Sequence, residues 1–476
     1  MVKTGSRTKL QIRKGSAYMR LKAKQYEMDM CSGSIWKKML CFTLPLMASS
    51  MLQLLFNAAD IIVVGKFAGD NSLAAVGSNT ALINLLVNLF VGLSIGANVA
   101  AAKYYGSKNE ADLQKTVHTA IAISLSSGFL LTIIGVLGAK QMLIWMQTPK
   151  EVLPLATTYL RIYFLGMMPT MLYNFGSALL RSIGDTKRPL YYLLTAGIIN
   201  VVLNLVFVIG MHLDVAGVAI ATVLSQIVSA GLILRCLIRE PGSIHLNFHQ
   251  IRIDREKLWF ILKIGLPAGF QGVIFALSNV VIQSSVNSFG NIVVAGNSAA
   301  ANLEGFVYMA MNAFYQATIS FVSQNFGAGQ YRRIRRITLT GELFVTMVGL
   351  ILGNLLVLFG GSLLKIYSND SAVIAAGMIR LGIISRTYAL CGMMDVLVGA
   401  LRGMGYSVVP MLVSLFGVCG LRLLWLATGF QSPTFHRIEM VYLAYPVTWI
   451  VSIAALVVCY FLVSRKIHRA IPTSTS

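Results

Sequence analysis

Apolar residues occur along this chain in a series of runs, each about long enough to cross a lipid bilayer. Of the 476 residues, 56% are hydrophobic and only 12% are charged. Because an α-helix rises about 1.5 Å per residue, roughly 20 apolar residues span the hydrocarbon core. Helices satisfy their own backbone hydrogen bonds there, and the apolar signal is too strong for β-barrel strands. The sequence therefore predicts an all-α membrane protein.

Twelve of these runs fit transmembrane helices. Their approximate bounds are 39–64, 76–102, 117–139, 155–180, 190–210, 215–237, 259–286, 292–322, 338–360, 374–400, 407–430 and 441–463. Most lysines and arginines lie before the first span or in the loops on the same side of the membrane. This positive-inside pattern predicts that both termini are cytoplasmic.

A stretch in the first half of the chain recurs in the second half. Residues 178–189 (ALLRSIGDTKRP) and 399–410 (GALRGMGYSVVP) share leucine, arginine, glycine and proline at the same places. The two arginines, Arg181 and Arg402, lie 221 residues apart, and the pairs Tyr105-Gly106 and Phe326-Gly327 have the same spacing. Two matches at one offset indicate a duplicated membrane protein.

The duplication divides the chain into two bundles that run in the same direction. With six spans in each half, both halves enter the membrane from the cytoplasm, so they are predicted to be parallel repeats. The predicted segments are a basic cytoplasmic tail (1–34), an N-terminal six-helix bundle (35–238), a cytoplasmic linker (239–257), a C-terminal six-helix bundle (258–465) and a cytoplasmic tail (466–476).

The first half places an acid and several amides within its spans. Gln53, Asn57 and Asp60 lie on one stripe of the first span, and Asn200 and Asn204 lie on one face of the fifth. A charged group inside the bilayer costs at least about 2.5–3.5 kcal/mol, which points to a role in ion or substrate binding. The structural alternatives are a carboxylate capped near the outer interface and amides that join helices.

The second half has its own polar set. It comprises Asn279, Gln283 and Asn287 on the seventh span and Glu304, Tyr308, Asn312 and Tyr315 on the eighth. We predict Arg386 and Arg422 as the buried countercharges of Glu304 and Asp395. These groups form either a structural ion-pair network or a contact for a bound cation.

No pattern in the chain indicates an enzyme or a cofactor. The sequence contains no Walker loop, HExxH or GxSxG motif. The six cysteines have no CxxC spacing, which favours free thiols over a disulfide or metal framework. A solvated loop is favoured over a metal pair for His245 and His249. The position of the basic residues favours membrane lipid over nucleic acid as the partner of the positive charge.

Five short motifs resemble those of the MATE (multidrug and toxic compound extrusion) family, in its bacterial, DinF-like branch. They are Leu44-Pro45-Leu46, residues 57–65 (NAADIIVVG), residues 74–77 (AAVG), residues 180–185 (LRSIGD) and residues 401–403 (LRG). The resemblance extends over about residues 35–465. It implies two six-helix bundles around a central cavity, and export of organic cations or amphiphiles in exchange for H⁺ or Na⁺.

The resemblance also assigns roles to residues of this chain. Asp60 matches the first-helix acid that the family uses for cation coupling, with Na⁺ as a possible ligand there. Polar positions of the same lobe are matched by Gln53, Asn174, Asn200 and Thr222. Taken together with the polar stripes described above, we expect Asp60, Asn200, Asn204 and Thr222 to couple the ion. The expected substrate contacts are Gln53, Asn57, Asn174, Gln283, Glu304, Tyr308 and Asn312. Some relatives carry a second acid at the position of Asn204, and Cys391 stands where some have a tenth-helix acid, about one turn from Asp395.

We therefore expect a secondary active multidrug antiporter. It would act as a monomer in a bacterial plasma membrane, on an organic cation or drug, with no cofactor other than the coupling ion. The alternative is a lipid-linked oligosaccharide flippase of the same superfamily, which would be expected to have additional spans or a strongly cationic cavity.

Overall fold

The computed structural model of the protein describes residues 26–469, apart from the side chains of residues 70, 78, 81 and 468. All regular structure in this part of the chain is helical, as predicted. The predicted N-terminal tail lies outside the described residues up to residue 25, and the C-terminal tail lies outside them from residue 470.

The helices are numbered in chain order, and most of them are long. They are α1 (Ile35–Phe67), α2 (Asp70–Gly106), α3 (Glu110–Trp145), α4 (Leu153–Leu165), α5 (Met167–Ser182), α6 (Lys187–Asn204), α7 (Asp214–Arg239), α8 (Arg255–Asn287), α9 (Asn291–Gly327), α10 (Tyr331–Leu358), α11 (Gly360–Leu364), α12 (Ser371–Ile384), α13 (Tyr388–Gly403), α14 (Val408–Val413), α15 (Leu421–Ala427) and α16 (Ile438–Arg469). Two π-helical segments (Leu205–Gly210 and Ser414–Gly420) and three 3₁₀ segments (Phe248–Gln250, Ser385–Thr387 and Gly429–Gln431) complete them.

Ten helical segments of the described chain are long and apolar enough to cross a membrane. The other two predicted spans correspond to the α4–α5 pair, which is interrupted at Gly166, and to α9, which has 37 residues and is rich in amides. Each helix of the α4–α5 pair is too short to cross a membrane by itself, and the amides of α9 lower its hydropathy. Both still occupy the places in the chain where the predicted order of spans requires a membrane helix.

The chain forms two compact units. Of the described residues, unit 1 comprises 26–34 together with Leu52–Leu262, and unit 2 comprises Ile35–Met51 and 263–469. The division differs from the predicted boundaries at the first helix, since the first half of α1 packs within unit 2. There the ring of Phe42 meets that of Phe321 edge-on, with centroids 5.6 Å apart.

Each unit contains the same close approach between two helices. A Cβ atom on Gly128 of α3 would lie 2.6 Å from the Cα atom of Met168 at the start of α5. In unit 2, a Cβ atom on Gly349 of α10 would lie 2.6 Å from the Cα atom of Ala389 at the start of α13. Small residues allow membrane helices to pack this closely, and both pairs are related by the 221-residue offset of the sequence repeat.

The segment predicted as a linker packs on unit 1. The amide of Gln114 on α3 donates to the carbonyl of Ser243 at 2.8 Å. The backbone N–H of Asn247 donates to Nε2 of His118 at 3.2 Å, and Nδ1 of the same ring lies 2.7 Å from the carbonyl of Gln114. Nδ1 is therefore the protonated nitrogen of a neutral imidazole, because Nε2 acts as the acceptor.

Candidate functional site

Four polar side chains of unit 1 form a hydrogen-bonded chain across three helices. The amide nitrogen of Asn204 donates to the carboxylate of Asp60 at 2.5 Å and lies 3.3 Å from the amide oxygen of Asn200. The amide nitrogen of Asn200 lies 3.4 Å from the hydroxyl of Thr222. The structure therefore brings together the residues assigned to ion coupling, from α1, α6 and α7.

The carboxylate of Asp60, at one end of this series of hydrogen bonds, determines their direction. An ionised carboxylate only accepts hydrogen bonds, so Asn204 must present its NH₂ group to Asp60. The amide oxygen of Asn204 is buried and has no hydrogen-bond partner within the described residues. An unpaired buried acceptor beside a carboxylate is a suitable ligand pair for a proton-bearing group or a hard cation, since hard cations prefer oxygen ligands.

The backbone changes its hydrogen-bonding pattern directly after this cluster. Helix α6 ends at Asn204, and the π-helical segment Leu205–Gly210 follows it. Single π turns inside helices are rare and frequently occur at functional sites. Thr222 is held on the neighbouring helix by its own hydroxyl, which donates to the carbonyl of Val218 at 2.9 Å.

Two tyrosines near Asp60 were not anticipated from the sequence. Tyr159 and Tyr163 of α4 stack with ring centroids 6.0 Å apart, and both pack in one hydrophobic cluster with Val63 and Val64, which follow Asp60 on α1. Their i,i+4 spacing within a predicted span was the available signal, but aromatic pairs at that spacing are also ordinary packing.

The other predicted contacts of the first half are not part of this hydrogen-bonded cluster in the described residues. Gln53 and Asn57 are exposed on α1, and Asn174 is half-buried on α5. Within the described residues, no hydrogen bond joins any of the three to the Asp60 cluster.

Unit 2 contains a cavity of about 280 Å³ lined by charged and aromatic side chains. The charged residues are Glu304, Arg380, Asp395 and Arg422. Aromatic walls surround them: Phe275, Tyr308, Tyr388, Tyr445 and Trp449. The ring of Trp449 lies 5.7 Å from that of Tyr388 and 5.8 Å from that of Tyr445, so three of these rings pack together.

The countercharge of Glu304 is Arg380. The prediction that Arg386 has this role is wrong. A guanidinium nitrogen of Arg380 lies 2.7 Å from the carboxylate of Glu304, whereas Arg386 is exposed. The 3₁₀ segment Ser385–Thr387 separates α12 from α13 and places Arg386 in the connection between them. A continuous tenth helix, as predicted from apolarity, gives no sign of this break.

Arg422 does not pair with Asp395 as predicted either. Its guanidinium lies 3.9 Å from the ring centroid of Tyr445, and one nitrogen donates to the hydroxyl of Thr448 at 3.0 Å. No basic group within the described residues lies within 4 Å of the Asp395 carboxylate. Asp395 and Arg422 instead face the same cavity without forming an ion pair.

The remaining predicted contacts of unit 2 fall into two groups. The amide nitrogen of Asn297 lies 3.1 Å from the amide oxygen of Gln283, and Arg380 donates to Asn297 at 2.7 Å, so Gln283 joins the network of Glu304. Tyr308 lines the cavity, whereas Asn312 accepts from Gln316 at 3.1 Å.

Among the described residues, no group of three or more histidine, cysteine, aspartate or glutamate side chains is placed to hold a metal ion. In the linker, Nδ1 of His245 lies 3.0 Å from the carbonyl of Glu240, which engages this ring with the protein's own backbone.

Comparison with known proteins gives consistent matches over most of the chain. The family model of MatE matches residues 45–206 and 267–426. The chain belongs to the MATE family. A probable multidrug resistance protein, YoeA of Bacillus subtilis, is 27% identical over 91% of this chain and 95% of the relative. An FAD transporter of Shewanella oneidensis is 24% identical over 91% and 95% of the two chains.

Solved MATE structures share the fold. The outward-facing structure of a multidrug resistance MATE transporter has a TM-score of 0.86 at 20% identity, covering 93% of this chain and 98% of that chain. MATE structures of this kind have twelve helices, in agreement with the twelve predicted spans. As a MATE protein, the chain is a multi-pass membrane transporter and not an enzyme.

The MATE match begins at equivalent points of the two halves, just at Pro45 and Pro267. The motif arginine of the second half, Arg402, is buried and donates to Tyr315 and to the amide oxygen of Gln271 at 2.5 Å. This part of the MATE pattern therefore joins α8, α9 and α13 within unit 2.

Proposed function

We propose that this protein is a secondary active antiporter that exports organic cations or amphiphiles in exchange for H⁺ or Na⁺. The observation that carries the proposal is Asp60, a half-buried carboxylate whose hydrogen-bond partner is an amide and not a basic group. Burial disfavours the charged form of a carboxyl group. A neighbouring amide accommodates either protonation state, because no fixed positive charge loses its partner when the carboxylate is neutralised.

Neutralising Asp60 would weaken the contact between α1 and α6. A hydrogen bond to an ionised carboxylate is roughly twice as strong as one between neutral groups. Binding of a proton or Na⁺ at Asp60 therefore loosens the Asn204 contact just before the π-helical segment. Coupling requires only that the ion and the exported compound favour different conformations, and their effects on each other's affinity are equal.

The cavity of unit 2 has the chemistry to contribute to substrate binding. Aromatic faces attract cations within about 6 Å of the ring centroid, and Asp395 adds a carboxylate to the same walls that has no basic group within 4 Å among the described residues. The name of the Bacillus relative, a probable multidrug resistance protein, agrees with such a substrate. We assign Tyr308 and Gln283 to this site with Glu304. Gln53, Asn57, Asn174 and Asn312 remain predicted contacts.

An anionic aromatic substrate is a second candidate. Arg422 lines the cavity with no carboxylate within 4 Å in the described part of the chain, and Tyr445 lies against it. One relative is named an FAD transporter, and FAD combines aromatic rings with phosphates. The flippase alternative is not favoured, because the chain matches twelve-helix MATE structures without additional spans, and the cavity around Glu304 carries acids as well as arginines.

The test is transport by the purified protein in vesicles with a proton gradient or a sodium gradient imposed separately. An ethidium-like cation and FAD are offered as substrates. We expect Asp60→Asn to abolish gradient-driven transport. Asp214→Asn, the same change at an exposed acid of unit 1, should transport as the unaltered protein does. Full coupling in the Asp60 variant would remove this residue from the mechanism.

We also propose a location in the bacterial plasma membrane with both termini cytoplasmic, and function as a monomer. The concentration of basic residues on one side supports this orientation. Labelling of single cysteines introduced near each terminus, in intact and in opened cells, measures the orientation directly.

A further inference from the structure

A larger cavity of unit 2, of about 540 Å³, lies between the beginning of α10 and the end of α16. Four arginines line it: Arg332, Arg335, Arg336 and Arg465. No acidic residue lines the cavity, and no carboxylate within the described residues lies within 4 Å of these four guanidinium groups. The cavity therefore concentrates positive charge that no carboxylate of the described residues neutralises.

The arginines adjoin an exposed apolar surface. Arg335, Leu339 and Leu343 follow one another at i, i+4 and i+8 on α10, so they form one stripe. Leu339 is 58% exposed and Leu343 is 59% exposed. From α16, Phe461 adds an aromatic ring that is 55% exposed. A ligand that matches this surface has an anionic head and an apolar tail.

The same place in unit 1 is filled by the protein's own chain. The 221-residue repeat matches Gln114 and His118 of α3 with Arg335 and Leu339 of α10. In unit 1, Gln114 donates to the linker carbonyl of Ser243 at 2.8 Å, and His118 accepts from a linker N–H. In unit 2, the side chains at the matching positions are exposed and basic or apolar. Among the described residues, the positions that bind the linker segment in unit 1 therefore carry an exposed arginine and an exposed leucine in unit 2.

We propose that this cavity binds the phosphate headgroup of an anionic phospholipid, with an acyl chain along the α10 stripe. Arginine forms paired, charge-assisted hydrogen bonds with phosphate oxygens. Basic pockets between transmembrane helices on the cytoplasmic side are suited to anionic headgroups, and the positive-inside pattern assigns this end of α10 to that side. The site is independent of coupling at Asp60, so its test needs no transport.

The test is lipid binding to the full-length protein, delipidated in detergent and followed by native mass spectrometry. Phosphatidylglycerol, phosphatidylcholine and inorganic phosphate are offered in separate arms. We expect the unaltered protein to prefer phosphatidylglycerol over phosphatidylcholine by about tenfold or more, since each arginine near a charged surface contributes appreciably. The variant R335Q/R336Q/R465Q should reduce that preference to about twofold or less.

A matched control removes three exposed arginines of the chain elsewhere. R235Q/R239Q/R255Q should keep at least about half of the preference, because these residues lie outside the cavity. Equal losses in the two triple variants would overturn the proposal in favour of general surface attraction. Inorganic phosphate that displaces phosphatidylglycerol at equal concentration would overturn it in favour of a small-anion site. If the triple variant does not fold, Arg336→Gln against Arg239→Gln gives the same contrast on a smaller scale.

Discussion

Asp60 of unit 1 and Glu304 of unit 2 lie in opposite electrostatic surroundings. In unit 1, Asp60 is held by the amide of Asn204, and in unit 2, Glu304 is held by the guanidinium of Arg380 at 2.7 Å. Helices α1 and α8 occupy equivalent places in the repeat and both carry amides, yet only α1 carries an acid within its apolar run. Duplication has therefore preserved the helices and not the charges.

This difference means that Asp60 can change its charge, whereas the charge of Glu304 is fixed by its ion pair. Neutralising Asp60 leaves a neutral hydrogen bond, whereas neutralising Glu304 leaves Arg380 as an uncompensated buried cation. Removal of one partner of a buried ion pair costs about 3–5 kcal/mol. We infer that Asp60 exchanges its ion during transport, and that the Glu304–Arg380 pair fixes the shape of the cavity that it lines.

The largest expected effect is the loss of stability when Arg380 is replaced. Arg380→Leu should lower the free energy of unfolding by about 3–5 kcal/mol, because Glu304 is left buried and unpaired. The double variant E304L/R380L should recover most of this loss, since both charges are then gone. Thermal unfolding of the detergent-solubilised protein measures each change.

Arg386→Leu is the control for this experiment. Arg386 lies on the same sequence segment but is exposed, so its replacement should change the free energy of unfolding by less than about 0.5 kcal/mol. If the two single variants lose equal stability, the contrast between the fixed acid of unit 2 and the exchangeable acid of unit 1 does not hold.

The pairing of Glu304 shows where prediction from the sequence stopped. The apolar runs determined the helical membrane fold, and the i,i+4 spacing of Asn200 and Asn204 indicated one polar face near Asp60. The choice between Arg380 and Arg386 depended on the 3₁₀ segment between α12 and α13. Such a break changes which side chains face inward, and it has no signature in apolarity.

A second contrast lies in the repeated loops, which share a backbone conformation and differ in what covers them. Gly184 and Gly405 both have φ of +92°. A Cβ atom on Gly184 would lie 2.7 Å from the carbonyl oxygen of Met28, whereas one on Gly405 would meet no atom of the described residues within 4 Å. Positive φ alone costs a non-glycine residue about 1–2 kcal/mol.

Gly405→Ala should therefore cost about 1–2 kcal/mol of unfolding free energy, and Gly184→Ala about 2–4 kcal/mol, since close packing adds a further penalty. The same thermal unfolding assay compares them. Equal losses at the two glycines would mean that the contact with Met28 contributes no difference between the units.

The contact of Met28 with the loop that contains Gly184 could not be predicted from the sequence. The segment before α1 reads as part of a basic tail, yet the backbone N–H of Met28 donates to the carbonyl of Ile183 at 3.0 Å. Apolarity and charge identify what crosses a membrane, but they do not identify a short polar segment that adds backbone hydrogen bonds to a loop far along the chain.

The smallest expected difference between the units, about 1 kcal/mol, concerns two threonines that accept a hydrogen bond in the two polar sites. Thr222 accepts from the neutral amide of Asn200 at 3.4 Å, and Thr448 accepts from the guanidinium of Arg422 at 3.0 Å. Valine keeps the shape of threonine and removes the hydroxyl. Because hydrogen bonds to charged groups contribute about 1.5–3 kcal/mol and neutral ones about 0.5–1.5 kcal/mol, Thr448→Val should lose more stability than Thr222→Val. The reverse order in thermal unfolding would mean that the hydroxyl of Thr222 contributes more stability than that of Thr448. That outcome would contradict the contrast between the neutral hydrogen bonds near Asp60 in unit 1 and the charged ones in unit 2.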